Sequence, residues 1–164
     1  AEAARAGKKA RIIAKMNSLL EPETIHALYE ASQAGVEIDL LVRGVCALRP
    51  GVKGLSENIR IRSVIGRFLE HHRVFYFHAN GEEKVYLSSA DWMERNFFRR
   101  IELAFPILDA KLKKRVINEG LKFYLADNQN TWEMNGNGQY TRRGSARAKP
   151  HSAQGELMLA LGKS

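Results

Sequence analysis

The chain has 164 residues, 45% of them apolar, with a formal net charge of +8 and a pI of about 9.8. Such a length suits one ordinary domain with its own core. The apolar runs are too short to span a bilayer, and the lone cysteine, Cys46, excludes an internal disulfide and a zinc cluster built on thiolates alone.

The first residues, AEAARAGKKA, lack the apolar stretch of a secretion signal and read as a polar linker or the end of an upstream helix. The chain starts at Ala rather than Met, so a fragment or processed chain is expected. RIIAKMNSL alternates like a strand, with Asn17 or Ser18 as a cap for the next element. EPETIHALYEASQAG predicts a helix: Pro22 suits its first turn, Ile25, Leu28, Tyr29 and Ser32 share a face, and Gly35 stops it. VEIDLLVR is then a buried strand, and strand–helix–strand implies a parallel pair with a crossover.

GVCALRPGVKGLSEN is a loop at the carboxyl end of that strand, where open α/β sheets bind ligands. IRIRSVI is a further strand and GRFLE a short helical turn. RVFYFH and KVYLSS are strands joined at a tight Asn80-Gly81 hairpin. ADWMERNFF is a short helix or turn, and RRIELAFPI another strand. DAKLKKRVINEGLKFYLAD is an amphipathic helix capped by Asp109, with Leu112, Val116, Ile117 and Leu121 as its apolar stripe. From Asn128 the chain turns polar, glycine-rich and basic, which reads as an extended tail, with SAQGELMLALGKS as a closing helix. The divisions are thus a linker over 1–10, a catalytic subdomain over 11–127 and a basic tail over 128–164. The fold class is α/β, a mixed sheet flanked by helices.

Several side chains are suited to phosphate. Arg43 follows the strand IDLLV, and its guanidinium can grip phosphate oxygens bidentately; it can equally pair with a carboxylate. His71 can donate to a phosphate or exchange a proton, or serve only in packing. Adjacent His71 and His72 face opposite ways on an extended backbone, whereas His71 and Arg73 share a side. Ser88, Ser89 and Asp91 end the facing strand, with Arg95 and Asn96 a turn later. These supply donors, an acceptor and cations around one pocket, or else a polar strand end that caps a helix. No P-loop, dinucleotide fingerprint or nucleophile elbow occurs, and no histidine has metal-ligand spacing. TRRGSARAKP is a polyanion contact or a solvated basic stretch. The aromatics sit in strand patterns and match no ribonucleoprotein motif, so no dedicated nucleic-acid partner is expected.

Taken together, IDLLVRGVCALRPG, RFLEHHRVFYF and VYLSSADWMERN resemble the carboxyl-terminal part of polyphosphate kinases of the histidine-autophosphorylating type. The resemblance runs from about Arg11 to Asp127. It implies a phospholipase D-like half-domain and the reversible transfer of the terminal phosphate of ATP to polyphosphate, with magnesium. The phosphorylated histidine would lie in a preceding domain absent from this chain, so the chain alone is expected to be inactive. It further implies that Arg43 contacts the nucleotide and that His71 lies near its phosphates. His71-x-Arg73 resembles the H-x-K element of phospholipase D, with arginine in place of lysine, which speaks against phosphodiester hydrolysis. From spacing, Arg73, Ser89 and Arg95 would hold neighbouring oxygens or orient His71. Lys53, Arg60, Arg62 and Arg67 are candidates for a polyphosphate channel or for an exposed basic face.

The expected partners are ATP or ADP, polyphosphate and the preceding domains, in a homo-oligomer located in the cytoplasm or peripherally at a membrane. Magnesium would come with the nucleotide, its ligands mostly outside this chain. The alternatives are a phospholipase D-like phosphodiesterase or nuclease, which would cleave through His71 without ATP, and a polyanion-binding module, which would tolerate loss of His71 but bind with steep salt dependence.

Overall fold

The structure, a computed structural model, describes residues 1–144 and 149–162. A single turn, α1 (Glu2–Arg5), precedes β1 (Ala10–Met16), α2 (Pro22–Gln33), β2 (Glu37–Val42) and β3 (Ile59–Val64). Next come β4 (Arg73–Ala79), β5 (Glu82–Ser88), α3 (Glu94–Phe98) and β6 (Ala104–Pro106). A long helical segment is built from α4 (Ala110–Ile117), a π turn (Asn118–Lys122) and α5 (Phe123–Ala126). β7 (Thr131–Met134), β8 (Tyr140–Arg142) and α6 (Ala153–Leu161) complete it.

One eight-stranded sheet runs β6-β5-β4-β1-β2-β3-β7-β8. β1, β2 and β3 are parallel and the remaining pairs antiparallel. This is the expected mixed sheet with helices on both faces. Strand alternation divides the core in two. Ala14, Met16, Leu40, Val42 and Phe75 pack with Leu28 and Ala31 of α2 and with Trp92. Ile13, Leu41, Val74 and Tyr76 pack with Ile117, Leu121 and Tyr124 and with Ala153 of α6. No helix among the described residues is long and apolar enough to cross a membrane.

The β1–α2–β2 unit forms as expected, but its cap differs. Neither Asn17 nor Ser18 caps α2; the Glu21 carboxylate does, accepting from Glu23 N and Thr24 N. The Asn80–Gly81 turn has φ of 51° and 89°, the double left-handed geometry of a tight hairpin. Asp109 caps α4 by accepting from Leu112 N, although Leu112 itself is exposed while Ile117 and Leu121 are buried.

Three other expectations change. GRFLE is not helical: it runs irregularly because Gln154 of α6 takes its backbone, donating to Phe68 O at 2.9 Å and accepting from Phe68 N at 2.9 Å. RRIELAFPI pairs only over Ala104–Pro106. The polar stretch after Asn128 adds β7 and β8 to the sheet beside β3, because Thr131, Trp132 and Glu133 find antiparallel partners in Val64, Ser63 and Arg62. Residues 145–148, within TRRGSARAKP, lie outside the described residues, as do 163–164.

Candidate active site

β1 lies between β2 and β4, so the carboxyl ends of β1 and β2 and the amino end of β4 meet at one end of the sheet. Lys15 pairs with Leu41 on one side and Val74 on the other. Beyond them the chain carries Asn17, Arg43 and His71. The backbones of Arg43 and His71 are therefore about two strand spacings, roughly 10 Å, apart. Gly44 permits the close approach of the two parallel strands here: its N–H donates to Asn17 O at 2.8 Å, and a Cβ would meet that oxygen at 3.0 Å.

Arg73 is the centre of one network. Its Nε donates to Asp91 Oδ1 at 3.1 Å and one Nη to Oδ2 at 3.1 Å. The other Nη donates to His71 O at 2.9 Å and lies 3.0 Å from His71 Nδ1. Asp91 Oδ1 also accepts from Asn17 N at 2.7 Å. Arg73 and Asp91 are buried, whereas His71 is exposed. Burial alone would raise the pKa of Asp91, but the guanidinium and the backbone N–H groups outweigh it and hold the carboxyl below its usual range.

Lys15 is the centre of a second network, on the other face. Its ammonium lies 2.6 Å from Glu70 and 4.3 Å from the centroid of the Tyr124 ring. Glu70 also accepts from Tyr124 Oη at 2.7 Å and Gln154 Nε2 at 2.8 Å. Burial lowers the pKa of Lys15 more than Glu70 restores it, and Arg43 adds to the lowering, so Arg43 is an electrostatic neighbour of this lysine. His72 keeps an exposed edge, but its ring packs on Tyr124 with centroids 5.6 Å apart. Loss of hydration, then Lys15, push its pKa down to about 4. His71 and His72 thus face opposite ways, as alternation requires.

The expected site residues divide accordingly. His71 and Arg73 are in contact. Arg43 reaches the same end of the sheet, but alternation sends it to the Lys15 face, so what it shares with His71 is the space beyond the end of β1. Asn17 lies between them. Its Nδ2 is buried without a partner among the described residues, and the residue is 8% exposed. Ser89 is turned elsewhere: its hydroxyl donates to Glu102 and accepts from Leu103 N at 3.0 Å. Arg95 is exposed and lines a separate hollow of about 370 Å³ with Leu20, Pro22 and Arg99. No hydrogen bond or ion pair among the described residues joins it to His71 or Arg73.

Asp91 does not cap α3, whose N-cap position is Met93 and has no side-chain cap. Arg60 and Arg62 share a face as expected, but both are turned to Asp39, at 3.1 and 3.6 Å. Lys53 and Arg67 are exposed, the latter over the Phe68 ring. Burial pushes the Cys46 thiol up to about 11, so no thiolate is available near neutral pH.

Sequence reasoning did not single out Lys15 and Glu70. The signal for the lysine was present: a cation at an inward position of the apolar strand RIIAKM. Glu70 carried none, because its partners lie 55 and 84 positions away. No group of three or more His, Cys, Asp or Glu able to hold a metal occurs among the described residues. The nearby acids are already committed, Asp91 to Arg73 and Asn17, Glu70 to Lys15, Tyr124 and Gln154.

The chain matches the family model described as polyphosphate kinase C-terminal domain 2 over residues 1–154. It is 71% identical over 140 residues to a polyphosphate kinase of Burkholderia lata, covering 85% of this chain and 20% of that protein. It is 64% identical over 163 residues to one of Paraburkholderia phytofirmans, covering 99% of this chain and 23% of that protein. The crystal structure of polyphosphate kinase from Porphyromonas gingivalis superposes with a TM-score of 0.92 at 38% identity, covering 99% of this chain and 25% of that one. The mixed sheet is thus the phospholipase D-like half expected of that fold, and the chain spans a fifth to a quarter of the length of these relatives. It belongs to the polyphosphate kinase family, as its carboxyl-terminal domain.

Proposed function

We propose that this domain supplies half of an active site that moves the terminal phosphate of ATP to and from polyphosphate. The phosphohistidine would reside in a preceding domain of the same polypeptide, and the domain alone would be inactive. The observation that carries this reading is the convergence of Arg43 and His71 on one end of the sheet, on either side of Asn17. A run of phosphates laid across the end of β1 would meet the Arg43 guanidinium on one side and the His71 imidazole on the other. The unpartnered Nδ2 of Asn17 would lie beneath. Phosphoryl transfer asks a protein mainly for positioning and charge neutralisation, which these groups provide.

Lys15 adds charge behind Arg43 but is held by Glu70, so its part is to shape the field rather than to grip. Magnesium would come with the nucleotide, and no step on this chain is routed through it. The net charge of +8 suits retention of a polyanion between turnovers, although Arg60 and Arg62 are spent on Asp39 and make poor channel residues. The setting is cytoplasmic or peripheral at a membrane, in a homo-oligomer of the whole polypeptide.

The test is phosphate transfer, in both directions, by the full-length polypeptide carrying Arg43→Ala or His71→Ala. Each should lose transfer while keeping its circular dichroism spectrum. Full activity in His71→Ala would refute the role given to this site.

A further inference from the structure

A guanidinium has five N–H donors and no lone pair. The ring nitrogen that Arg73 touches must therefore be the acceptor, and a neutral imidazole has only one. Two contacts compete: 3.0 Å to Nδ1 and 3.4 Å to Nε2. The second is at the outer limit of hydrogen bonding, so the first decides. Arg73 cannot swing away to relieve the choice. It is 8% exposed at the start of β4, its Nε and one Nη are spent on Asp91, and the remaining Nη is also tied to His71 O. Asp91, 5% exposed, is itself fixed to β1 through Asn17 N.

We infer that Asp91 is a positioning residue: through Arg73 it holds His71 with a bare Nδ1 and a proton on Nε2. In this exposed residue Nε2, and not Nδ1, then carries the proton that can be donated to phosphate. Its Nε2 has no free electron pair with which to attack phosphorus. A nucleophilic histidine needs the opposite polarity, an acceptor facing its Nδ1–H, as in an Asp–His pair. Here the carboxylate stands one residue further back, with the guanidinium interposed, and the polarity is reversed. The same geometry therefore argues against the phosphodiesterase alternative: His71 assists transfer without becoming phosphorylated. What the Nε2 proton meets rests on the kinase reading; the tautomer belongs to the chain itself.

Nitrogen-15 spectra of the imidazole rings of this chain test the assignment, the His71 signals being identified by their loss in His71→Gln. At neutral pH, Nδ1 should resonate as an unprotonated nitrogen and Nε2 as a protonated one. In Arg73→Met both should move toward the average of exchanging tautomers. A proton on Nδ1 in the unaltered chain, or unchanged ring signals in a folded Arg73→Met, would overturn the inference; if Arg73→Met fails to fold, the unaltered chain alone decides.

In the full-length polypeptide, Asp91→Asn should slow transfer by about tenfold to a hundredfold. It should cost nothing further once His71 is Gln. Losses that multiply would mean that Asp91 acts by another route. Full transfer by His71→Gln, with a bare Nδ1 still seen in the unaltered chain, would instead sink the kinase reading and leave the tautomer standing.

Discussion

Asp39 and Asp91 are both buried acids serving one sheet, and both are held below the usual carboxylate range: burial acts to raise them, and neighbouring guanidiniums overcome it. Asp39 gathers three arginines, Arg11 at 2.6 Å, Arg60 at 3.1 Å and Arg62 at 3.6 Å, from the strands on either side. Among the described residues that cluster runs from Arg62 to Glu133 at 3.4 Å and ends at Arg143, 3.7 Å from Glu133. Among the described residues Asp91 has a single arginine, and that arginine has a donor left for an exposed histidine. The same ion pair is an end point in one place and a relay in the other. What separates them is the direction of the spare N–H groups, not charge or burial.

The largest effect expected of this contrast is on transfer. His71→Ala in the full-length polypeptide should reduce it about a hundredfold to a thousandfold, the usual scale for removing one donor aimed at developing charge. Asp39→Ala should leave transfer per folded molecule unchanged. It should instead lower the unfolding free energy by about 1–3 kcal/mol, since Arg62, the most buried of the three arginines, loses its buried partner and keeps only Glu133. Chemical denaturation measures this, and a selective loss of transfer in Asp39→Ala would erase the distinction between the two clusters.

Lys15 and Glu70 form a third buried pair, at the site end of the sheet. Lys15→Met alone should destabilise by about 3 kcal/mol by leaving Glu70 uncompensated, and Lys15→Met with Glu70→Gln should recover most of it. If the double variant is no more stable than the single one, the pair is not the source of the effect.

Acid sensitivity sharpens the comparison further. The folded-state pKa of His72, about 4, lies below the ordinary 6.5, so the unfolded chain binds more protons between these values. The stability contributed is present above about pH 6.5 and lost as the pH falls toward about 4. The depressed carboxylates Asp39 and Asp91 lose theirs only at lower pH, below the unfolded carboxylate value near 4. Denaturation of His72→Gln across that range should show a shallower decline from pH 6.5 to 4 and an unaltered one below. The smallest effect belongs to Arg60→Gln, whose half-exposed side chain is one of three around Asp39: a loss of at most about 1 kcal/mol. A larger loss would show that the Asp39 cluster depends on each member.

Much of this was legible in local pattern. Periodicity and punctuation located β1, α2, β2 and the β4–β5 hairpin, since Pro22, Asn80-Gly81 and Asp109 act within a few residues of where they stand. Residue chemistry at the strand ends singled out Arg43 and His71, and the family resemblance attached roles to them. Elements whose conformation is set from afar were misread. GRFLE has helical residues but is drawn out by Gln154, and the strands after Asn128 exist only because β3 presents an unpaired edge. Ser89 and Arg95 have the right chemistry at plausible spacing, yet one is captured by Glu102 and the other opens on a different hollow. Spacing along a strand predicted the His71–Arg73 contact but could not say which nitrogen would be touched.

The Gln154 clamp on residues 68–70 bears on the birth of the protein. It bridges 84 to 86 positions, while Lys15 with Glu70 bridges 55 and Asn17 with Asp91 bridges 74. A ribosome must therefore deliver α6 before the loop carrying Glu70 can take its final shape. Closures over such distances are slow, so a nascent chain halted short of Gln154 would already hold Arg43 and His71 yet leave the Glu70 network incomplete.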